Sequence, residues 1–436
     1  MWLRLSLAIC FAMAVLPGQS FAVMKENLDE SRVPPYVLPD PLVAADGTRI
    51  TTVDQWISKR RPEILRLFET EVYGRAPKQK PTLRFQVDSE DASALGGKAV
   101  RKEVTIHVST PRGELPLHLL LYIPKTNLPA PAFLGLNFLG NQSIHSDPKI
   151  SLSRSWIQGR PEVGIVDHKA TAASRGVEAT RWQVEQVVGR GYAVATVCCG
   201  DIDPDFDDGF QNGVHPLFYR PGQTAPEADE WGTIAAWAWG LSRALDYLET
   251  DSSIDAKHVA VLGHSRMGKA AVWAAASDPR FAMAISNESG CGGAALSKRI
   301  YGETVGLINA HFPHWFCRNF RKYDDHEELL PVDQHMLIAL IAPRPVYVAS
   351  ASEDRHADPR GEFLAARHAD PVYRLFGLSG VGTDDMPPVD HPIGDTIHYH
   401  VRTGKHDITA YDWQQYLDFA DAHLRAKARE TTSKPN

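Results

Sequence analysis

The architecture can be predicted outward from the segment His258-Val-Ala-Val-Leu-Gly-His-Ser-Arg-Met-Gly-Lys269. It opens with an apolar run typical of a buried strand and leads into the alanine-rich segment 270–276, which is typical of a helix. Ser265 lies between the two, in a G-x-S-x-x-G pattern that is one residue longer than the common G-x-S-x-G turn. Such a turn exposes the serine hydroxyl above the sheet, so Ser265 is the candidate nucleophile.

Strand-like and helix-like segments alternate on both sides of this motif. Before Phe133, short runs rich in Val, Ile, Thr and Leu predict antiparallel strands. After it, the alternation indicates a mostly parallel sheet with helices on both faces. This is the α/β class, in the three-layer sandwich layout of α/β-hydrolases. The predicted strands are Leu83–Val87, Val100–Val108, Leu115–Ile123, Phe133–Phe138, Tyr192–Cys198, Val259–Leu262, Met283–Ser286, Val346–Ala349 and Ile397–His400, and the predicted helices are Val53–Val72, Trp182–Val188, Trp231–Leu248, Ala270–Ala276, Met336–Ile341 and Trp413–Leu424.

The ends of the chain differ in composition from its middle. Residues 1–22 combine Arg4, the apolar run Leu5–Leu16 and a small-x-small end, which is the pattern of a secretory signal peptide. An uncleaved membrane anchor is the alternative, although the run is short for a bilayer. We expect residues 23–424 to form a single catalytic domain with a proline-rich N-terminal arm, and residues 425–436 to be disordered. The mature protein should be soluble and either secreted or periplasmic.

Composition narrows the range of partners. The chain is 43% hydrophobic and 23% charged, with a formal net charge of −7 and no basic run. We therefore expect a globular monomer that binds neither nucleic acid nor, after signal cleavage, a membrane. No CxxC or histidine-rich spacing suggests a metal site, and we expect no cofactor. Three pairings remain open for the cysteines that follow the leader, which are Cys198, Cys199, Cys291 and Cys317.

A catalytic base is expected late in the chain, because α/β-hydrolases place the serine, the acid and the histidine in that order. His406 lies between the last predicted strand and the last predicted helix, and is the candidate base. His391, His398 and His400 are alternatives, but the last two fall in the predicted strand, where packing is the commoner role.

Two carboxylates compete for the role of triad acid. Asp354 follows the predicted strand Val346–Ala349, and Glu288 follows the predicted strand Met283–Ser286. Because successive parallel strands end at the same edge of a sheet, either carboxylate could orient the imidazole and stabilise its cation. The sequence leaves this choice open.

Two cations follow the serine in the first helical turn. Arg266 and Lys269 have the wrong sign for the positive end of a helix dipole. They suit an oxygen that becomes negative, or a ligand rich in acceptor oxygens. The alternative is that both reach solvent or pair with acids.

These motifs resemble the bacterial glucuronoyl esterases of carbohydrate esterase family 15. The resemblance is carried by Gly263–Lys269, Asn287–Gly293 and Gly404–His406. It extends over most of the chain, through the segments Tyr73–Pro77, Leu136–Asn141, His335–Arg344 and Ala357–Phe363.

The resemblance implies a role for each matching residue. Ser265 would be the nucleophile, His406 the base, and Arg266 a donor to the oxyanion. Glu288 matches the acid of fungal members, and Asp354 the acid position that many bacterial members also carry. Lys269 and Glu303 match positions whose side chains contact the sugar in this family.

Three positions depart from the family pattern. His356 stands where members often have a tryptophan against the sugar. His264 and Asp407 stand where fungal members have a pair of cysteines, so the fungal disulfide cannot form.

The implied activity is hydrolysis of the ester between 4-O-methyl-D-glucuronic acid of glucuronoxylan and lignin alcohols, through an acyl-enzyme. An acetyl xylan esterase or another carbohydrate esterase is the nearest alternative. Lys269 and Glu303 disfavour it, because an acetyl group has no ring to recognise. A catalytically silent polysaccharide-binding protein is the alternative of another class.

Overall fold

A ten-stranded mixed sheet forms the centre of the computed structural model, which describes residues 26–425. The predicted leader and the predicted tail beyond Arg425 lie outside the described residues. The strands are β1 (Thr82–Ser93), β2 (Ala99–Thr110), β3 (Gly113–Pro124), β4 (Ala130–Asn137), β5 (Ile165–Val166), β6 (Lys169–Ala170), β7 (Ala193–Cys198), β8 (Ile254–His264), β9 (Met283–Asn287), β10 (Val346–Ala351), β11 (Ile393–Gly394) and β12 (Ile397–Arg402).

The sheet order is β1-β2-β3-β7-β4-β8-β9-β10-β12-β11, and β5 and β6 form a separate ribbon. The first three strands pair antiparallel in the order β1-β2-β3, and β3 also pairs antiparallel with β7. From β7 through β4, β8, β9 and β10 to β12 every pairing is parallel. The predicted α/β class, with a mostly parallel sheet and antiparallel N-terminal strands, is confirmed.

Helices cover both faces of the sheet. Along β8, Val259 and Val261 belong to one hydrophobic core, whereas Ala260 and Leu262 belong to the other. This is the period of two that a strand buried on both faces requires. In residues 26–425 no helix is both long and apolar enough to cross a bilayer. The α-helices of six or more residues in the described part of the chain are α1 (Arg61–Glu71), α2 (Val184–Gly189), α3 (Thr233–Leu248), α4 (Arg266–Ser277), α5 (Val305–His311), α6 (Gln334–Ala339), α7 (Pro359–Leu375) and α8 (Ala410–Ala420).

Most predicted elements agree with the structure to within a few residues, but three differences have local causes. The predicted helix Trp182–Val188 is interrupted at Gln183, whose φ of 43° is left-handed. The predicted helix Val53–Val72 contains a π-helical turn, Trp56–Arg60, before α1. The long helix α7 was not predicted, although Asp358 caps its first turn by accepting from Gly361 N and a proline follows.

The cysteines of the described residues are buried free thiols. None of the three pairings that the sequence left open is present among them. Burial raises the pKa of the Cys291 thiol well above its usual range, which keeps it protonated.

Candidate active site

A strained turn presents Ser265 at the junction of β8 and α4. Its φ of 59° and ψ of −131° are unusual for a residue with a side chain. Its N–H donates to the carbonyl of Asn287 at the end of β9, at 2.9 Å. A Cβ on Gly263 would lie 2.0 Å from the Met267 carbonyl oxygen, so only glycine allows the helix to start this close to the strand. The local sequence thus produces the predicted turn, in which Ser265 is half-buried and lines a pocket.

His406 is held by both candidate acids. Its Nδ1 lies 2.6 Å from Asp354 Oδ2 and 3.2 Å from Glu288 Oε2. Asp354 follows β10 and Glu288 follows β9, as the sequence predicts for two neighbouring strand ends. A carboxylate on Nδ1 leaves Nε2 free to act as the base.

Ser265 and His406 line one open pocket, together with Arg266 and His264. In the described residues no hydrogen bond joins the Ser265 hydroxyl to the His406 ring. Catalytic hydrogen bonds in enzymes without substrate are often long and tighten in the complex. The structure therefore brings the candidate nucleophile and the candidate base to one site without closing the contact between them.

The three alternative histidines have other surroundings. His400 is buried and bound to the Tyr347 hydroxyl and to Asp412. His398 packs against Tyr347 and Phe419. His391 contacts the carbonyl of Val389. His406 alone of the four late candidates lines the pocket of Ser265.

The charges of the three acid–base groups are coupled. Burial raises the pKa of Glu288 to about 7, despite His406 and Arg402 nearby. Burial acts in the same direction on Asp354, but its hydrogen bond to His406 outweighs it and lowers that pKa. Burial lowers the pKa of His406, but the two carboxylates outweigh it and raise the value to about 9. The pair of acids thus stabilises the imidazolium form.

Within the described residues, one potential metal-ligand atom from each of Glu288, Asp354 and His406 lies within 4.8 Å of the other two, which is close enough to hold a metal ion. Their oxygens already accept hydrogen bonds inside the protein, including one from Arg402 Nη2 to Glu288 at 2.7 Å. We therefore assign the group to acid–base chemistry.

Arg266 lines the same pocket as Ser265, and one side of its guanidinium contacts Asp205 and Trp315. Its Nη1 lies 2.5 Å from Asp205, and its guanidinium carbon lies 4.7 Å from the centre of the Trp315 ring. Its Nε is buried and has no partner among the described residues. Because this Nε has almost no exposed surface, the candidate donors to an oxygen that becomes negative are the other N–H groups of Arg266, a residue that lines the pocket of Ser265.

The predicted sugar-contacting residues form a row that begins at Lys269, one helical turn after Ser265, and continues through Glu303 to His356. None of the three is among the residues that line the pocket of Ser265. Lys269 Nζ donates to the carbonyls of Ser289 and Cys291 and to Glu303, at 2.8, 2.6 and 2.8 Å. An ammonium group has three donors, so all of them are used inside the protein. The role of Lys269 in sugar binding remains a prediction, and Glu303 is the member of this pair with acceptor capacity left.

His356 extends the row to the protein surface. Its Nε2 lies 3.5 Å from Glu303, and its Nδ1 lies 2.5 Å from Glu26 of the N-terminal arm. These two acids raise the pKa of His356 to about 9, although burial opposes them. The arm is also attached by its backbone, because Gly302 N donates to the Asn27 carbonyl at 2.8 Å.

Comparison with known proteins places the chain in a family. Residues 218–377 match the family model described as "Glucuronyl esterase, fungi". The carbohydrate esterase MZ0003, from an unknown prokaryotic organism, is 53% identical over 92% of this chain and 93% of its own length. A solved promiscuous CE15 esterase from a marine bacterial metagenome is 53% identical with a TM-score of 0.86, covering 92% of this chain and 100% of that one.

The chain belongs to carbohydrate esterase family 15. The glucuronoyl esterase from Solibacter usitatus is another similar solved member, at 50% identity and a TM-score of 0.85 over 90% of this chain and 99% of its own. The resemblance that the sequence motifs indicate is therefore confirmed.

Sequence reasoning missed a residue that organises the acid side of this family 15 site. Arg402, at the end of β12, donates to Glu288 at 2.7 Å and to the carbonyls of Lys405 and Asp407 at 2.9 and 2.6 Å. It also donates to Asp412 at 2.8 Å. One buried guanidinium thus fixes the candidate acid Glu288 and the loop that carries the candidate base His406. Its position at a strand end was the only signal in the sequence.

A second missed residue is Glu362 of α7. It accepts from the N–H groups of Ser289 and Gly290 at 2.8 and 3.0 Å, and from the Ser350 hydroxyl at 2.6 Å. These partners belong to the loop after β9 and to β10. Glu362 therefore ties together the two strand ends that carry the candidate acids.

Proposed function

We propose that this family 15 enzyme hydrolyses the ester between 4-O-methyl-D-glucuronic acid of glucuronoxylan and an alcohol of lignin, through a serine acyl-enzyme. The observation that carries the proposal is the imidazole of His406, held by two carboxylates in the pocket that Ser265 lines. The names of its relatives, which are carbohydrate and glucuronoyl esterases, support the class of substrate.

In the first half of the reaction, His406 takes the proton of Ser265 as its oxygen attacks the ester carbonyl carbon. Asp354 and Glu288 stabilise the imidazolium that forms. The Arg266 N–H and the backbone at the start of α4 bind the oxyanion, a type of contact worth about 10²–10³ in rate. The tetrahedral intermediate then collapses, and the alcohol leaves with the proton from His406.

In the second half, a water molecule attacks the acyl carbon and gives one proton to His406. The C–O bond to Ser265 breaks, the serine recovers its proton from His406, and the uronic acid leaves. Both halves proceed with the side chains and backbone groups named above and one water molecule.

Recognition of the acyl group is proposed for the row that begins at Lys269. Glu303 would accept hydrogen bonds from ring hydroxyls and His356 would donate to them. Lys269, whose three donors are used inside the protein, would hold Glu303 in place and would bind a hydroxyl directly only by giving up one of these internal acceptors. His356 replaces the flat apolar surface that members often have here, so we expect weaker stacking and more hydrogen bonding at this position.

The substrate proposal is tested by comparing two esters. We expect kcat/KM on benzyl glucuronate to exceed that for deacetylation of acetylated xylan by at least about 10²-fold, since a site with polar groups built for a ring rejects an acyl group without one. Higher activity on acetylated xylan would favour the acetyl xylan esterase. Binding of glucuronoxylan with no hydrolysis of either ester would favour the silent polysaccharide-binding protein.

The pH dependence of kcat/KM should show how the neighbouring carboxylates act on the pKa of His406. Only neutral His406 can accept a proton, so kcat/KM should rise with pH up to its pKa of about 9. Asp354→Asn removes a charge that raises this pKa, so the acidic limb should move to lower pH, while the maximal rate falls. The pH profile of kcat/KM for wild type and variant measures both. An acidic limb that stays in place would show that Asp354 does not act on His406.

We further propose that the protein acts as a monomer outside the cytoplasm. The signal-peptide pattern of residues 1–22 and the location of plant cell-wall substrates support the compartment. The negative net charge is consistent with the absence of nucleic-acid and membrane partners.

A further inference from the structure

A second histidine lies directly against the candidate base. His264, the residue before Ser265, has its ring centre 4.4 Å from that of His406, with the planes inclined by 39°. It lines the same pocket, although its exposed fraction is only 7%. The proposed mechanism assigns no role to His264.

A chain of hydrogen bonds determines which nitrogen of His264 carries hydrogen. Asn287 Nδ2 donates to the Tyr416 hydroxyl at 2.9 Å and lies 3.5 Å from Asp412 Oδ1, which as a carboxylate oxygen can only accept. The other atom of this amide, Oδ1, therefore faces His264, at 2.6 Å from its Nδ1. Because a carbonyl oxygen only accepts, the His264 Nδ1 must be the donor.

The remaining nitrogen of His264 is then an acceptor. Burial, with a further effect of His406, lowers the pKa of His264 well below its usual value, so the ring is neutral and Nε2 carries a lone pair. With Nδ1 bound to β9, Nε2 lies on the opposite side of a ring that lines the pocket. Among residues 26–425 it has no hydrogen-bond partner. The pocket thus contains two adjacent imidazoles, one suited to take a proton and one fixed as an acceptor.

We propose that His264 positions the hydrolytic water by accepting a hydrogen bond from one of its O–H groups. This inference rests on the proposed acyl-enzyme mechanism. The water has two hydrogens: His406 removes one as the oxygen attacks the acyl carbon, and the other stays on the oxygen and points at His264 Nε2. The product acid keeps that second hydrogen until it ionises. Because His406 and His264 each accept one O–H group at a fixed position, the orientation of the water is fixed, and a lone pair of its oxygen is directed at the carbonyl carbon.

His264 is a positioning residue and not a second base. A proton on its ring would place two cations 4.4 Å apart, centre to centre, in a site where burial already disfavours the charged form. The attacked ester carbonyl and the serine do not need this acceptor in the first half of the reaction. Its loss should therefore slow deacylation selectively.

The test is His264→Phe, assayed on a chromogenic glucuronate ester whose alcohol is released in the first half of the reaction. We expect kcat to fall by about 10²-fold, the cost typical of a misplaced reactant. KM should fall in parallel, and kcat/KM should stay within about threefold of wild type, because it reports acylation. A burst of alcohol and an added mass of one glucuronoyl group on the intact protein should appear. His264→Gln, whose amide oxygen can accept, should restore part of kcat.

Two control variants distinguish a failure of the role proposed for His264 from a failure of the acyl-enzyme mechanism itself. His398→Phe makes the same change on β12, where the ring packs against Tyr347 and Phe419, and should show no burst. Equal losses of kcat and kcat/KM in His264→Phe without an acyl-enzyme, or no loss at all, would overturn the role of His264. If Ser265→Ala remained fully active, the acyl-enzyme mechanism itself would fail, which is a different result.

Discussion

Ser265→Ala is expected to lower kcat on benzyl glucuronate by about 10⁶-fold, the loss seen when a serine nucleophile is removed from an assembled triad. The variant lacks the oxygen that bonds to the acyl carbon, so His406 has no hydroxyl to deprotonate. Alanine tolerates the φ of 59° about as well as serine does, and the glycines around it are unchanged. The turn should therefore keep its shape. Rates measured with high enzyme concentration over long times would establish the residual activity.

Ser277→Ala is the matched control for this substitution. Ser277 ends the same helix, α4, where its hydroxyl donates to the Trp273 carbonyl, and it is exposed. Its loss should leave kcat within a factor of about two, as is usual for surface changes. Turnover by Ser265→Ala at more than about a thousandth of the wild-type rate would contradict the assignment of the nucleophile.

The second large effect is expected when both acids are neutralised. Glu288→Gln combined with Asp354→Asn should lower kcat by about 10⁴-fold, because nothing then stabilises the imidazolium of His406 or fixes its Nδ1–H. Each single variant should lose much less, since the other carboxylate remains at 2.6 or 3.2 Å from Nδ1. The interaction between the two sites is measured by a double-mutant cycle on kcat.

Glu353→Gln provides a neighbouring control. Glu353 directly precedes Asp354 but is exposed, so its change should leave kcat unaffected. Cooperative thermal unfolding of the double variant would show that its lost activity is not a loss of the fold. If Asp354→Asn alone were as damaging as the double variant, Glu288 would have no share in orienting the base.

Much of the site could be predicted because its signals are local. The apolar run before Ser265, the small residues around it and the alanine-rich helix after it are contiguous, and they determine the turn almost alone. The acids could be placed because each follows a predicted strand. The choice between Glu288 and Asp354 stayed open in the sequence for a physical reason: both lie within hydrogen-bonding distance of one nitrogen.

What could not be predicted depends on contacts between distant residues. Arg402 and Glu288 are 114 positions apart, and nothing in either local sequence indicates their pairing. The insertion of β7 between β3 and β4 is likewise a matter of tertiary packing. Lys269 shows the opposite case: the sequence favoured a cation directed at a ligand and kept pairing with an acid as the alternative, and in the structure Glu303 and two carbonyl groups bind it. For α7, the capping signal at Asp358 was present in the sequence and could have been used.

The attachment of the N-terminal arm has a practical consequence for protein production. Glu26 and Asn27 contact His356 and Gly302, next to Glu303, only a few positions after the expected start of the mature chain near residue 23. A purification tag joined there, or trimming by a protease that removes Glu26, would alter the surroundings of His356, at the outer end of the proposed sugar-binding row, while leaving the serine turn intact. Preparations that differ only in how their first residues are processed can therefore differ in apparent affinity for polysaccharide.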